Sequence, residues 1–258
     1  LREFGIGRSL LLRFIARGGR IEPPPACSFR GGMQVLPDAI ADRLGDRFRV
    51  DAPVRSLAPG STGWRVETES GERFDAAHVV LTTPAPVTAR LVESVAPEAS
   101  SVMAGLRYNP LVVAHLDAET DLRGIGFKVA FGEGDMILTG VTFNECLFGR
   151  ENLYTAYMGG ARNPRVTSMG RDELEATALA EFRRTTGADA RVLSLAHERM
   201  PAWDRSWRGL RDIRLPSGLR IAGNWWSRPG LPGRLAEATS LAGQLAPRPG
   251  TSPALAAG

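Results

Sequence analysis

The segment from Ile221 to Arg234 constrains the fold more than any other part of the chain. Its sequence is Ile-Ala-Gly-Asn-Trp-Trp-Ser-Arg-Pro-Gly-Leu-Pro-Gly-Arg. The apolar run at residues 219–225 predicts a buried strand, and the apolar spacing over residues 232–245 predicts a helix after the glycine loop. The start of a helix directs free backbone N–H groups and a positive dipole end toward one point. The segment therefore predicts a strand–loop–helix unit that is either a structural turn or a site for an anion or an electron-rich ring edge.

Composition excludes several classes of protein. The 258 residues are 43% hydrophobic and 23% charged, which is typical of a globular protein and excludes a disordered chain or a disulfide scaffold. No run approaches the roughly 18 apolar residues of a transmembrane helix. The net charge is +4, but Lys128 is the only lysine among 32 basic residues and the arginines are scattered. We therefore expect no nucleic-acid partner.

The cysteines and histidines do not form a metal-binding pattern. Cys27 and Cys146 are far apart, and His78, His115 and His197 are isolated from one another. Neither a CxxC pair nor an HExxH motif occurs, so we expect no metal site. His78 and His115 lie in apolar runs and are predicted to be strand residues with satisfied imidazoles. The cysteine usage suits a reducing compartment, and we expect a cytoplasmic protein.

Apolar periodicity along the chain predicts a mixed α and β fold. One helix is indicated by Leu36, Ile40 and Leu44, and another by Leu174, Ala178 and Phe182. Strands are predicted at residues 47–54, 63–68, 74–81, 111–116, 126–131, 136–143, 153–158 and 191–196.

Several segments, taken in order, resemble one known family. Phe29-Arg30-Gly31-Gly32-Met33-Gln34-Val35-Leu36 resembles the FxGGMQxL turn of the aerobic protoporphyrinogen and coproporphyrinogen oxidases, which are flavoproteins of the amine-oxidase superfamily. The stretch His78-Val79-Val80-Leu81-Thr82-Thr83-Pro84 is similar to a later strand of that family. Ala222-Gly223-Asn224 with Gly230-Leu231-Pro232 is similar to its AGNxxxxxGVP segment. The segments agree in order and spacing over most of residues 5–246.

The resemblance implies an α+β or α/β fold with a partial FAD-binding (Rossmann-like) domain and a mixed-sheet substrate domain. Residues 31–88 and 216–246 are assigned to the FAD-binding domain on this basis. Residues 1–30 are assigned as a helical connector of the substrate domain and residues 89–215 as its main part, and residues 247–258 are expected to be a disordered tail.

The resemblance also implies site residues. Val54 is expected beside the FAD adenine, and the AGN segment residues are expected at the isoalloxazine: Gly223, Asn224, Gly230, Leu231 and Pro232. The expected substrate wall consists of Ile125, Gly126, Lys128 and Tyr157. From the residues alone, Lys128 could instead be a solvated strand lysine, which is the commoner case, and Tyr157 could equally be a core tyrosine. No side chain stands out as a catalytic acid or base, so the catalytic residues stay unknown.

The implied activity of the full-length protein is FAD-dependent oxidation of a porphyrinogen to a porphyrin in haem biosynthesis, with dioxygen as acceptor. The sequence contains no GxGxxG turn for the FAD pyrophosphate, so we expect a C-terminal portion of a longer protein. Two alternatives stay open: a non-catalytic truncated flavin fold, and another flavin amine oxidase or desaturase. Residues 111–116 lack the lysine that amine oxidases generally place near the flavin, which disfavours amine oxidation.

Three properties stay undecided at the level of sequence. The apolar and basic residues 10–17 form either a packed helix or a segment that contacts a membrane surface. The pattern does not distinguish protoporphyrinogen from coproporphyrinogen, and it leaves the oligomeric state open.

Overall fold

A computed structural model describes residues 28–130, 136–227 and 230–245. The predictions for residues 10–17 and for the tail at 247–258 lie outside these residues. The chain divides into two compact units, and it passes between them after residues 48, 106 and 202. The predicted domain boundaries lie after residues 30, 88 and 215, and the assignment of the units to FAD and substrate binding stays a prediction.

The first unit contains residues 28–48 and 107–202 and is built on a five-stranded antiparallel sheet. The strands are β5 (Tyr108–Asp117), β6 (Gly126–Lys128), β7 (Leu138–Phe143), β8 (Leu153–Gly159) and β9 (Arg191–Pro201). Their order in the sheet is β6-β7-β8-β5-β9. The α-helices of this unit are α1 (Val35–Leu44), α4 (Asn144–Phe148) and α5 (Arg171–Thr186), with a 3₁₀ turn at Pro164–Thr167.

The core of the first unit lies between the sheet and α5. Successive side chains of a strand point to opposite faces, and the even-numbered residues Val112, Ala114 and Leu116 of β5 are fully buried. On α5, Leu174, Ala178 and Phe182 form the predicted apolar face and are also fully buried in this core. Because α5 covers one face of the sheet, the odd-numbered residues of β5 lie on the opposite face.

The second unit contains residues 49–106 and the described residues from 203 onward. Three antiparallel strands form one sheet: β1 (Val54–Gly60), β2 (Gly63–Thr68) and β3 (Arg73–Ala76). A parallel pair forms another, β4 (Val79–Leu81) with β10 (Leu219–Ile221). The helices are α2 (Ala85–Val92), α3 (Pro97–Ala104), a 3₁₀ segment at Arg205–Asp212 and α6 (Leu231–Leu245).

Two strand predictions, one of which spans the boundary between the two units, were wrong. The strand predicted at 47–54 is instead a 3₁₀ turn at Gly45–Arg47 followed by a bend at Asp51, whose positive φ of 54° is incompatible with an extended strand. The strand predicted at 74–81 is two strands, β3 and β4, that pair in different sheets. The short helices α2 and α3 were not predicted.

Two features are absent from the residues that the structure describes. None of their helices is long and apolar enough to cross a membrane. In the same residues, no group of three or more His, Cys, Asp or Glu side chains is arranged to hold a metal ion.

Candidate functional site

The first candidate site lies where β4 and β10 end. Because these strands are parallel, their carboxyl ends meet at one edge of the sheet. Residues 82–84 follow β4 and lead directly into α2, whereas residues 222–227 follow β10 on the way to α6. In open α/β sheets, ligands bind outside the carboxyl ends of the strands. This edge is therefore the place in the second unit where a ligand is expected.

The loop after β10 is fastened to the end of β4. The Ala222 N–H donates to the Leu81 carbonyl oxygen (2.9 Å), and the Trp225 indole N–H donates to the Thr83 carbonyl oxygen (2.9 Å). Trp225 is fully buried, so its ring is part of the packing. A Cβ on Gly223 would lie 2.8 Å from the Trp225 Nε1 atom, which explains the glycine at that position. These contacts give the loop a defined conformation next to β4.

Arg234 holds the same loop from the side of the helix. Its guanidinium group donates hydrogen bonds to the Gly223 carbonyl oxygen and to the Ser227 hydroxyl group. It also forms an ion pair with Glu237 (2.8 Å). A cation in the first turn of a helix opposes the helix dipole, so the stability of α6 alone does not explain an arginine here. Its contacts indicate that it couples the loop to α6.

The predicted isoalloxazine residues lie together at this loop and helix start. Four of them are exposed, Asn224, Gly230, Leu231 and Pro232, whereas Gly223 is buried. Gly230 has a φ of +86°, which favours glycine, and it directly precedes α6. An open groove of about 870 Å³ between β10 and α6 is lined by Trp226, Ser227 and Pro232 among other residues. Val54, the predicted adenine contact, is 40% exposed at the start of β1 in the separate three-stranded sheet.

The second candidate site is the face of the five-stranded sheet opposite α5. Directly opposed residues of neighbouring strands share a face. Five residues, one from each strand, oppose one another in turn across the sheet from β6 to β9: Lys128, Gly140, Tyr157, Val113 and Ala196. We call these five residues the lysine–tyrosine row. Two strand spacings separate Lys128 from Tyr157, or about 10 Å between their Cα atoms. Two predicted substrate residues thus lie in one row.

The surroundings of this row suit a flat ligand. Gly140 places no side chain between Lys128 and Tyr157, and a Cβ there would lie 2.7 Å from the Phe127 carbonyl oxygen. Tyr157 is half-buried and Lys128 is exposed. Among the described residues, no carboxylate forms an ion pair with Lys128. Gly140 is itself buried, and its missing Cβ would also lie 3.6 Å from the Lys128 Cγ atom, so the glycine lets the Lys128 side chain lie close to β7. The row therefore combines an aromatic ring, a glycine and a cation.

The other two predicted substrate residues lie at the start of β6. Gly126 is on the same face as Lys128, and a Cβ at Gly126 would lie only 2.1 Å from the Val141 carbonyl oxygen. Ile125 is 74% exposed in the loop before β6. It lines a shallow pocket with Glu145 and Cys146 and is not in the row. The structure therefore groups Gly126, Lys128 and Tyr157 on one face and leaves Ile125 at its margin.

Comparison with known proteins identifies the family. The family model described as flavin containing amine oxidoreductase matches residues 4–246. The chain belongs to this family. FAD is the family's cofactor, and the fold class expected from the sequence is confirmed.

Sequence relatives include plant protoporphyrinogen oxidases. The chain is 26% identical over 250 residues to protoporphyrinogen oxidase 2 of Arabidopsis thaliana, covering 80% of this chain and 49% of that protein. It is 28% identical over 177 residues to protoporphyrinogen oxidase 1 of Spinacia oleracea, covering 61% of this chain and 31% of that protein. The chain thus spans at most about half the length of these relatives.

Solved structures share the fold at low identity. A provisionally assigned protoporphyrinogen oxidase from Exiguobacterium sp. 255-15 superposes with a TM-score of 0.67 at 18% identity, covering 84% of this chain and 51% of that one. Wild-type putrescine oxidase bound to putrescine superposes with a TM-score of 0.61 at 18% identity, covering 83% and 52%. These similarities show the fold of a flavin-dependent oxidase and do not decide the substrate.

The described residues fit one end of FAD. Exposed Leu231 and Pro232 at the start of α6, together with the anchored loop at Gly223 and Asn224, offer backbone groups and a helix N-terminus to an electron-rich ring edge. The 258 residues contain no GxGxxG cradle for the pyrophosphate. The chemistry of these residues therefore suits one end of the cofactor, and their assignment to the isoalloxazine stays a prediction.

Proposed function

We propose that this chain is part of an FAD-dependent oxidoreductase that converts a porphyrinogen to a porphyrin with dioxygen as electron acceptor. Family membership and the two plant relatives support the reaction class. The observation that carries the choice of substrate is the lysine–tyrosine row. It offers an aromatic surface and a cation on one sheet face, which suits a flat macrocycle with carboxylate substituents.

Each residue of the row has a distinct task in this proposal. The Tyr157 ring packs against the macrocycle and excludes water from that side. Gly140 lets the Lys128 side chain lie close to the backbone of β7, on the same sheet face as the ring. The Lys128 ammonium group pairs with a substrate carboxylate and fixes the orientation of the macrocycle.

The second unit has the task of holding the cofactor in this proposal. FAD, when bound, supplies the acceptor for the hydrides that leave the substrate. The backbone around Leu231 and the loop at Gly223 and Asn224 hold the isoalloxazine end. Arg234 keeps that loop in place through its hydrogen bonds to Gly223 and Ser227. No catalytic acid or base is assigned to the chain.

Porphyrin binding tests the substrate assignment without requiring bound FAD. Porphyrins are stable in air, so coproporphyrin III can be titrated into the chain while its Soret band and fluorescence are followed. We expect Tyr157→Ala and Lys128→Ala each to weaken binding about tenfold, equivalent to about 1.4 kcal/mol for one lost contact. The Lys128→Ala chain should also show a weaker dependence of affinity on salt.

Matched controls distinguish this face from the rest of the sheet. Tyr108 is half-buried on the same strand as Val113, but as an even-numbered residue of β5 it lies on the face that α5 covers. The Tyr108→Ala chain should therefore bind coproporphyrin III like the wild type. Arg123→Ala removes a cation from the loop before β6 and should also leave the affinity unchanged. Equal effects of Tyr108→Ala and Tyr157→Ala, or no porphyrin binding at all, would contradict the proposal.

A further inference from the structure

A second row of residues lies beside the lysine–tyrosine row on the same sheet face. Its members directly oppose one another across five strands, and four of the five have polar side chains. They are Gly126, Thr142, Thr155, His115 and Ser194. We call them the polar row. From its apolar surroundings in the sequence, His115 is predicted only to be a strand residue with a satisfied imidazole.

Within the polar row, His115 is oriented by a neighbour. Its Nδ1 atom lies 2.9 Å from the Ser194 hydroxyl oxygen, and the side chain is half-buried. When the Ser194 hydroxyl donates to Nδ1, the ring proton resides on Nε2, at the far end of the imidazole. Thr155 is buried and accepts a hydrogen bond from the Asn144 amide (2.7 Å). His115 is thus the member of the row that can present an N–H donor to a ligand.

The position of His115 complements that of Lys128. Tyr157 lies on β8, Lys128 is two strands away from it on β6, and His115 is one strand away on the other side, on β5. Three strand spacings, or about 14 Å, separate the strands of Lys128 and His115. Two groups that bind carboxylates therefore flank the aromatic ring on opposite sides.

The other charged residues on this face do not lie between His115 and the lysine–tyrosine row. Asp117 and Arg191 form an ion pair (2.6 Å) and offset each other. Glu198 lies on the edge strand opposite Leu111, on the far side of the lysine–tyrosine row from His115. Neither feature separates His115 from a ligand that covers Tyr157.

We propose that His115, oriented by Ser194, is a specificity-determining residue that binds a second substrate carboxylate. A macrocycle with one carboxylate arm on every pyrrole ring can reach His115 and Lys128 together. A macrocycle with only two carboxylate arms, both on the same edge, reaches only one of these two residues. The site therefore selects the tetracarboxylate, coproporphyrinogen type of substrate over the dicarboxylate, protoporphyrinogen type. This inference rests on the proposed function.

Paired titrations with coproporphyrin III and protoporphyrin IX test this selectivity. The wild-type chain should bind coproporphyrin III about tenfold more tightly than protoporphyrin IX. This difference corresponds to one additional hydrogen bond to a charged group. His115→Ala should remove that preference by weakening coproporphyrin III binding and leaving protoporphyrin IX affinity within about twofold of the wild type. His115→Gln keeps an N–H donor and should restore part of the preference. Ser194→Ala should reduce the preference less than His115→Ala does.

His197 provides the matched control. It lies on β9, opposite Val112, on the face that α5 covers, so His197→Ala should leave both affinities unchanged. Unchanged far-UV circular dichroism and thermal unfolding of each variant show that its fold is retained. If His115→Ala weakens both porphyrins equally, or weakens neither while Tyr157→Ala still does, the role of His115 is refuted and the proposed function stands. If the wild-type chain binds neither porphyrin, the proposed function itself fails.

Discussion

Glu181 provides a sharp test of how the proposed substrate-binding face is held in place. This α5 side chain accepts two backbone hydrogen bonds at the start of β7, from the Ile137 N–H (3.0 Å) and the Leu138 N–H (2.6 Å). Both donor residues are fully buried. The register shift between β7 and β8 at Leu138 and Gly140 lies directly beside them. Glu181 therefore fixes the strand that contributes Gly140 to the lysine–tyrosine row.

The expected cost of losing Glu181 follows from these two bonds. A hydrogen bond to a charged group contributes about 1.5–3 kcal/mol, and a buried donor left without a partner costs about 1–3 kcal/mol. We therefore expect Glu181→Ala to lower the free energy of unfolding of the first unit by about 3 kcal/mol. Glu181→Gln keeps one acceptor oxygen and should cost roughly half as much.

Glu175 is the matched control on the same helix. It forms a partly exposed i, i+4 ion pair with Arg171 (2.8 Å), and helix-surface pairs of this kind contribute only about 0.3–0.5 kcal/mol. Urea unfolding followed by far-UV circular dichroism gives the free energies, and hydrogen exchange of the Ile137 and Leu138 amides gives the local effect. All five tryptophans lie in the second unit, so their fluorescence follows that unit separately. The reasoning is refuted if Glu181→Ala costs no more than Glu175→Ala and the two amides keep their protection.

Three further predictions follow from particular contacts. Arg234→Ala should accelerate amide exchange in residues 223–227, measured by mass spectrometry, whereas Glu237→Gln should have a smaller effect because the bonds from Arg234 to the loop remain. Phe182→Ala should cost about 3–5 kcal/mol in urea unfolding, because it opens a cavity in the core of the first unit. The hydrogen bond from Arg65 lowers the pKa of Asp75, so this pair stabilises the β2–β3 hairpin above the ordinary carboxyl pKa and loses that effect as the pH falls through the lowered value. Acid titration followed by NMR should give a lower pKa for the Asp75 carboxyl in the wild-type chain than in the Arg65→Ala chain.

The sequence predicted the elements whose periodicity is local and strong. Leu174, Ala178 and Phe182 recur at helical spacing, and the structure buries all three on α5. The strands at the predicted positions in the middle of the chain are present as β5, β7 and β8. The break at Asp51 was missed because a positive φ at a non-glycine residue has no clear signal in apolar spacing.

The arrangement of the site depended on information that no local pattern contains. The apolar run around His115 predicted a strand residue, but its neighbours depend on which strands pair and in which register. The polar row and the lysine–tyrosine row are therefore visible only once the order β6-β7-β8-β5-β9 is known. Arg234 did have a usable signal, because an arginine in the first turn of a predicted helix opposes the dipole and indicates another partner.

Ring-current shifts on binding coproporphyrin III would test the central claim most directly. A macrocycle that packs over Tyr157 shifts the NMR signals of nearby protons according to their position relative to its plane. We expect large shifts for the Val113 methyl groups and the Tyr157 ring, and small ones for Leu174 and Phe182 beneath the other face. The largest shifts at the α5 face, or uniform shifts over the whole chain, would contradict the assignment of this sheet face to the substrate.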